Sequence, residues 1–188
     1  MRVAALAACV ALAGCGGAAP SVLEVRVADH DATAFPVGEG RAVTVAHVLR
    51  AGQPVFVGGR RARVLRVDRR LDVALLDVAG IRGTARRAAA SAGESATVRA
   101  VGRDVHATVR RTISAHIGGQ VRPALELAAD VMPGDSGAPV VNGDGRVVGI
   151  LFAQASDAEP LAYALDARAL GPWLTQAAGK GRGASLPR

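Results

Sequence analysis

An all-β fold with one short C-terminal helix is what this sequence predicts, and three observations carry that prediction. Apolar and polar residues alternate in short runs along most of the chain, and Gly and Asp turns separate the runs. Half of the residues are hydrophobic but only 3% are aromatic, so the core must be built from Val, Leu, Ile and Ala. Where Val dominates, that composition suits the pleated, half-buried surface of a strand. A chain of 188 residues has room for one domain with a real core and none for an appended second one.

Taken in order, the first set of strand signals covers Val22 to Val27, Arg41 to Ala46, Pro54 to Val57, Ala62 to Val67 and Asp72 to Val78. An Ala- and Arg-rich connector from Ile81 to Gly93 follows. The second set covers Ser95 to Val101, His106 to His116, Ala124 to Ala128, Ala138 to Val141, Arg146 to Phe152 and Leu161 to Ala164. From Asp166 to Ala177 the spacing of Leu170, Trp173 and Leu174 is helical, with Asp166 as the N-cap. Gly179 to Arg188 reads as a flexible tail.

The segment richest in chemistry is Met132-Pro133-Gly134-Asp135-Ser136-Gly137-Ala138-Pro139-Val140-Val141. Glycines on either side of Asp135-Ser136 let the backbone turn tightly, so that the amides of Gly134 and Ser136 can point at one spot. Two such amides form an oxyanion hole, usually the largest single contribution to acyl-transfer catalysis. Alone, the stretch reads equally well as a turn before a hairpin, as Asn142-Gly143-Asp144-Gly145 does a few residues later. A serine nucleophile needs an imidazole to take its proton and a carboxylate to hold that imidazole. Of His30, His47, His106 and His116, only His47 closes a clean apolar run, Ala42 to Ala46, and is followed at once by Val48-Leu49. His30 lies between Asp29 and Asp31 in what reads as a polar turn; His106 and His116 fall in polar-alternating strands, and all three read as solvated surface. Asp72 opens the buried-strand pattern Asp72-Val73-Ala74-Leu75-Leu76, while Asp68 and Asp77 are the more exposed alternatives.

Thr44-Val45-Ala46-His47, Asp72-Val73-Ala74-Leu75-Leu76 and Pro133-Gly134-Asp135-Ser136-Gly137-Ala138-Pro139, in that order, resemble the three signature blocks of trypsin-like serine proteases. The likeness is to their bacterial, disulfide-free branch, including the protease domain of the high-temperature-requirement family, and it covers roughly residues 22 to 175. It implies two six-stranded antiparallel β-barrels, about 22–80 and 94–165, a helix over 166–177, and an active site in the cleft between the barrels. It further implies His47 as general base and acid, Asp72 as its orienter, Ser136 as nucleophile, and the amides of Gly134 and Ser136 as oxyanion hole. The implied activity is serine endopeptidase hydrolysis of protein or peptide substrates, by a monomer with no cofactor and no metal.

Three departures from that pattern stand out. No activation sequence is present to supply a new N-terminus for Asp135, so another partner must hold it. Many relatives carry a Ser or Thr that supports the orienting carboxylate, on the strand after the Gly-Ile that follows the nucleophile hairpin. Here Gly149-Ile150 is followed by Leu151-Phe152, which predicts that this support is missing. A catalytically weak or inactive relative that binds peptides or a partner protein at the cell surface is therefore the alternative reading. The primary pocket also has two readings: Asp130, six residues before Ser136, as a floor selecting Arg or Lys, or a small apolar pocket near Ala153. The second is preferred, because the Pro133-Gly134 approach resembles the bacterial branch.

Both cysteines precede residue 16, so no disulfide framework exists in the folded part. Met1-Arg2, an apolar run from Val3 to Leu12 and Leu12-Ala13-Gly14-Cys15 read as a signal peptide over 1–14, too short for a permanent membrane span. Its ending resembles the bacterial lipobox, which implies lipidation of Cys15 and an extracytoplasmic protein anchored to the cell membrane. The alternative is a secretory signal cleaved at a small residue such as Ala19 and a secreted or periplasmic product. Gly16 to Ser21 reach about 20 Å when extended, so an anchored domain sits close to the membrane. The net charge of +7 is almost wholly arginine, with Arg60, Arg61, Arg63, Arg66, Arg69 and Arg70 crowded before Asp72. A solvated basic face explains them best, attraction to anionic lipid or cell-wall polymer comes second, and nucleic-acid binding is a poor third, since aromatic platforms are nearly missing and the export signal points away from it.

Overall fold

Strand closure dominates the computed structural model, which describes residues 18–155 and 160–179. The leader over 1–14, Cys15 and the tail from Lys180 lie outside the described residues. Six strands make the first barrel: β1 (Leu23–Val27), β2 (His30–Gly38), β3 (Arg41–Val45), β4 (Val55–Val57), β5 (Arg60–Asp68) and β6 (Val73–Val78). They run in the spatial order β1-β2-β3-β6-β5-β4, and β1 pairs with β4 to close the ring. Six more make the second: β7 (Ser95–Ala100), β8 (Arg103–Ile117), β9 (Gln120–Ala128), β10 (Pro139–Asn142), β11 (Val147–Gln154) and β12 (Leu161–Asp166). Their order is β10-β11-β12-β9-β8-β7, closed by β10 with β7. All neighbouring pairs are antiparallel. Closure removes every edge strand, the usual liability of an antiparallel sheet.

One strand has no counterpart in the sequence reading. β2 begins at His30, which the alternation pattern leaves in a polar turn. Its residues Ala32 to Pro36 are all buried, so the two-residue period that reveals half-buried strands is missing. Pro36 cannot donate to a ladder, and it sits beside the register shift between Pro36 and Gly38, where the ladder is already broken. The helix α1 (Ala167–Gly179) runs past Ala177 and takes in Gly179. Asp166 caps it as expected, its Oδ1 accepting from the Arg168 amide at 2.8 Å.

The core is aliphatic, as the composition requires, with Phe35, Phe152 and Trp173 as its buried aromatics among the described residues. The interior of the first barrel is continuous with Ile150, Phe152 and Leu165 of the second and with Leu170 and Trp173 of α1. The interior of the second barrel forms a separate cluster around Leu125, Leu127, Val140 and Leu151. The two barrels are therefore packed together along one side, and the strand ends facing that seam carry the residues of interest.

Candidate active site

His47 lies two residues beyond the end of β3, in a turn stapled by the Leu49 amide donating to the Ala46 carbonyl at 3.1 Å. Buried Ala46 and Val48 flank it, while its own side chain is 46% exposed. Apolar neighbours fix the backbone and leave the ring free at the seam. Asp72 immediately precedes β6, which pairs with β3, so the sheet itself brings the two residues together. Its φ of 60° is left-handed, unusual for a residue with a side chain, and such strain costs on the order of 1–3 kcal/mol and persists only where the surroundings compel it. Here they do. Oδ1 of Asp72 accepts from the amides of Ala46 at 3.1 Å and His47 at 2.8 Å, and Oδ2 meets Nδ1 of His47 at 2.7 Å. A carboxylate accepts only, so Nδ1 carries the proton and Nε2 is left with a free lone pair.

Ser136 sits in the turn between β9 and β10. Thr33 of β2 pins that turn from the other barrel: its amide donates to the Ser136 carbonyl at 2.8 Å and its Oγ1 to the Gly134 carbonyl at 3.0 Å. Thr44 Oγ1 in turn donates to the Thr33 carbonyl at 2.7 Å. Gly137 is required at this crossing. Its φ is +90°, and a Cβ there would fall on the Thr33 carbonyl oxygen and lie 2.7 Å from Thr44 Oγ1. Gly134 has φ +98°. With their carbonyls turned to Thr33, the amides of Gly134 and Ser136 donate to no acceptor among the described residues. Such unpaired donors are available to an anionic oxygen.

His47, Gly134 and Ser136 line one cavity of about 450 Å³, together with Pro133, His30 and Arg50. No hydrogen bond links Ser136 Oγ to His47 Nε2 among the described residues; in empty sites of this kind that bond is commonly long and tightens around the reacting group. His30, read from sequence as surface, borders this cavity, its Nε2 2.9 Å from an Arg50 guanidinium nitrogen. His106 and His116 are exposed, as expected. Asp130 is exposed too and is not among the residues that line the two cavities beside His47; Ala153 is half-buried on β11. Among the described residues no cluster of His, Cys, Asp or Glu is arranged to hold a metal.

Two residues that sequence reasoning missed complete the site. The partner of Asp135 is Arg103, the first residue of β8. Its guanidinium pairs with the carboxylate of Asp135, Nε reaching Oδ1 at 3.4 Å, and the Asp135 side chain is 6% exposed. Oδ2 of Asp135 also accepts from the Met132 amide at 2.9 Å, so one carboxylate ties the whole turn before Ser136. The partner of Asp72 is Arg122, on β9, whose side chain is 6% exposed and whose Nη1 lies 3.3 Å from Oδ2. Phe152 supplies no hydroxyl to Asp72, and Arg122 pairs with that carboxylate from the second barrel instead. Nothing in the sequence separates these two arginines from the many others; only the fold selects them.

A family comparison bears directly on this arrangement. The sequence model described as the trypsin-like peptidase domain matches residues 32–150, which contain His47, Asp72 and Ser136. Among solved structures the protease Rv3671c from M. tuberculosis in its active form is similar, with 27% identity, a TM-score of 0.75, and coverage of 90% of this chain and 83% of that one. The HtrA-type protease AlgW with tripeptide shares the fold at 21% identity and a TM-score of 0.72, over 85% of this chain and 60% of that one. The serine endoprotease from Yersinia pestis does so at 20% identity and a TM-score of 0.73, over 88% of this chain and 65% of that one. No curated protein matches the chain in sequence. With a double barrel, a histidine and a serine facing one cleft at its seam, and a family match over more than half its length, the chain belongs to the trypsin-like peptidases.

Proposed function

We propose that this protein is a serine endopeptidase that works through Ser136, His47 and Asp72. The observation that carries the reading is the 2.7 Å contact between His47 Nδ1 and Asp72 Oδ2, which leaves Nε2 bare on the cavity shared with Ser136. Oγ of Ser136 attacks the scissile carbonyl carbon while Nε2 takes its proton. The oxygen of the tetrahedral intermediate becomes an oxyanion between the amides of Gly134 and Ser136. Collapse breaks the C–N bond, and His47 returns the proton to the leaving amine. Water, deprotonated by His47 in the same way, then releases the acyl group. Asp72 holds the ring in place through both steps. The absence of a hydroxyl at Phe152 favours a second, non-catalytic reading in which the cleft only binds peptides.

An exposed Asp130 argues for a small apolar pocket, with Ala153 at its edge, as the acyl-side selector. In a peptide-library digest, cleavage should fall after Val, Ala or Leu and persist in Asp130→Ala. Dominant cleavage after Arg or Lys that disappears in Asp130→Ala contradicts this pocket, and no cleavage by folded wild type favours the non-catalytic reading.

The proposed location is the outer face of the bacterial cell membrane, through a lipid on Cys15. The wild-type chain should then partition with membranes into detergent. Cys15→Ala should either appear free or keep its uncleaved leader. A mature N-terminus at Ala18 or beyond with no lipid contradicts the anchor and leaves a secreted or periplasmic enzyme.

A further inference from the structure

The buried guanidinium behind Asp72 does more than fill space, and we infer that Arg122 is a positioning residue that locks the His47–Asp72 pair and makes it depend on the docking of the two barrels. The inference rests on the proposed peptidase mechanism, since it assigns a role within it. Arg122 belongs to the second barrel, on β9 opposite Ala115 of β8, whereas Asp72 and His47 belong to the first. It is 5% exposed. Burying a guanidinium so far from water is unfavourable unless a counter-charge and close packing compensate. Both are present. Nη1 stands 3.3 Å from Oδ2 of Asp72, and Cζ lies 4.9 Å from the centroid of the Phe152 ring. Phe152 reaches that position because β11 is irregular between Leu151 and Ala153, which leaves Phe152 unpaired with β12 and able to face the seam.

The two oxygens of Asp72 are held differently. Oδ1 takes two backbone amides, both from the strand end that carries His47. Oδ2 bonds Nδ1 of His47 and meets Nη1 of Arg122, and Asp72 borders a cavity of about 510 Å³ that Arg69, Arg70, Arg122 and Phe152 also line. A carboxylate oxygen left open to such a cavity exchanges its imidazole partner for water. Arg122 and the Phe152 ring occupy that approach and hold Oδ2 where Nδ1 needs it. Nε of Arg122 has no hydrogen-bond partner, so the guanidinium is not placed there by a polar network of its own. Its one ion pair is to Asp72 among the described residues. A guanidinium places a full positive charge beside Oδ2, which a neutral hydroxyl does not.

The test compares wild type with R122M, which keeps the volume without the charge, and R122K, which keeps the charge without the planar fork. Loss of the orienting Asp itself lowers kcat by about 10⁴ in this class of centre, so loss of the residue behind it should lower kcat by about 10- to 100-fold in R122M, with KM within about twofold. R122K should fall between R122M and wild type. The far-downfield proton resonance of the His47–Asp72 hydrogen bond should be sharp in wild type and broadened or lost in R122M. Wild-type kcat together with a wild-type resonance in R122M overturns the inference. Should R122M fail to fold, a wild-type kcat and resonance in R122K overturn it equally, and a lowered kcat with a broadened resonance supports it. If wild type itself shows no turnover, the peptidase reading has failed, while the resonance still reports whether Arg122 holds the pair.

Discussion

Ser136→Ala and His47→Ala should each lower kcat by about 10⁶, and the double variant should be hardly worse than either, because nucleophile, base and orienter act as one unit. Peptide hydrolysis by the purified variants, followed with one substrate at saturation, measures this. Asp72→Asn should cost about 10⁴, less than the other two, since the imidazole remains but in the wrong tautomer. The structure makes this effect specific: Oδ2 of Asp72 accepts from Nδ1 at 2.7 Å, and an amide nitrogen placed there could only donate. Stability should change little in Ser136→Ala, because the side chain of Ser136 makes no hydrogen bond among the described residues. Strict additivity, with the double variant far below either single one, contradicts a shared role.

Arg103→Met should lower kcat by about 10²- to 10³-fold, the loss that follows when an oxyanion donor is misplaced. Asp135 is 6% exposed on its side chain and carries the amide of Met132 as well as the guanidinium of Arg103. Remove the guanidinium and a buried carboxylate is left with one backbone donor, so it turns outward and takes the Gly134 amide with it. Arg103 is one-third exposed, which places the stability loss between that of a surface pair and that of a buried one, on the order of 2 kcal/mol. A thermal melt separates the two effects: the turnover loss should greatly exceed what the small shift in folded population explains. Full turnover in Arg103→Met contradicts the assignment of Arg103 as the group that holds the turn.

The residues legible from sequence are those whose surroundings are local. His47 is flanked by its own buried run, Asp72 by the strand that it opens, and Ser136 by the glycines that its turn requires. Each advertises itself within about ten residues. Arg103 and Arg122 do not, because their partners lie more than thirty residues away and arginine is abundant in this chain. The sequence does ask for a partner of Asp135, whereas Phe152 predicts only that hydroxyl support for Asp72 is missing. Both aspartates are held by long-range ion pairs. β2 was hidden for a different reason, since its buried middle from Ala32 to Pro36, with a threonine and a proline in it, shows neither alternation nor a clean apolar run. His30 went with it: a residue read as sitting in a turn opens a strand at the edge of the cleft.

Ser136 acts as an activated nucleophile in the proposed mechanism, and reaction with a fluorophosphonate measures that without knowledge of any substrate. Folded wild type should acquire one adduct, mapped to Ser136 by peptide mass analysis; Ser136→Ala should acquire none, and His47→Ala should react far more slowly. A folded wild-type protein whose Ser136 stays unmodified under conditions that label an active serine peptidase contradicts the account.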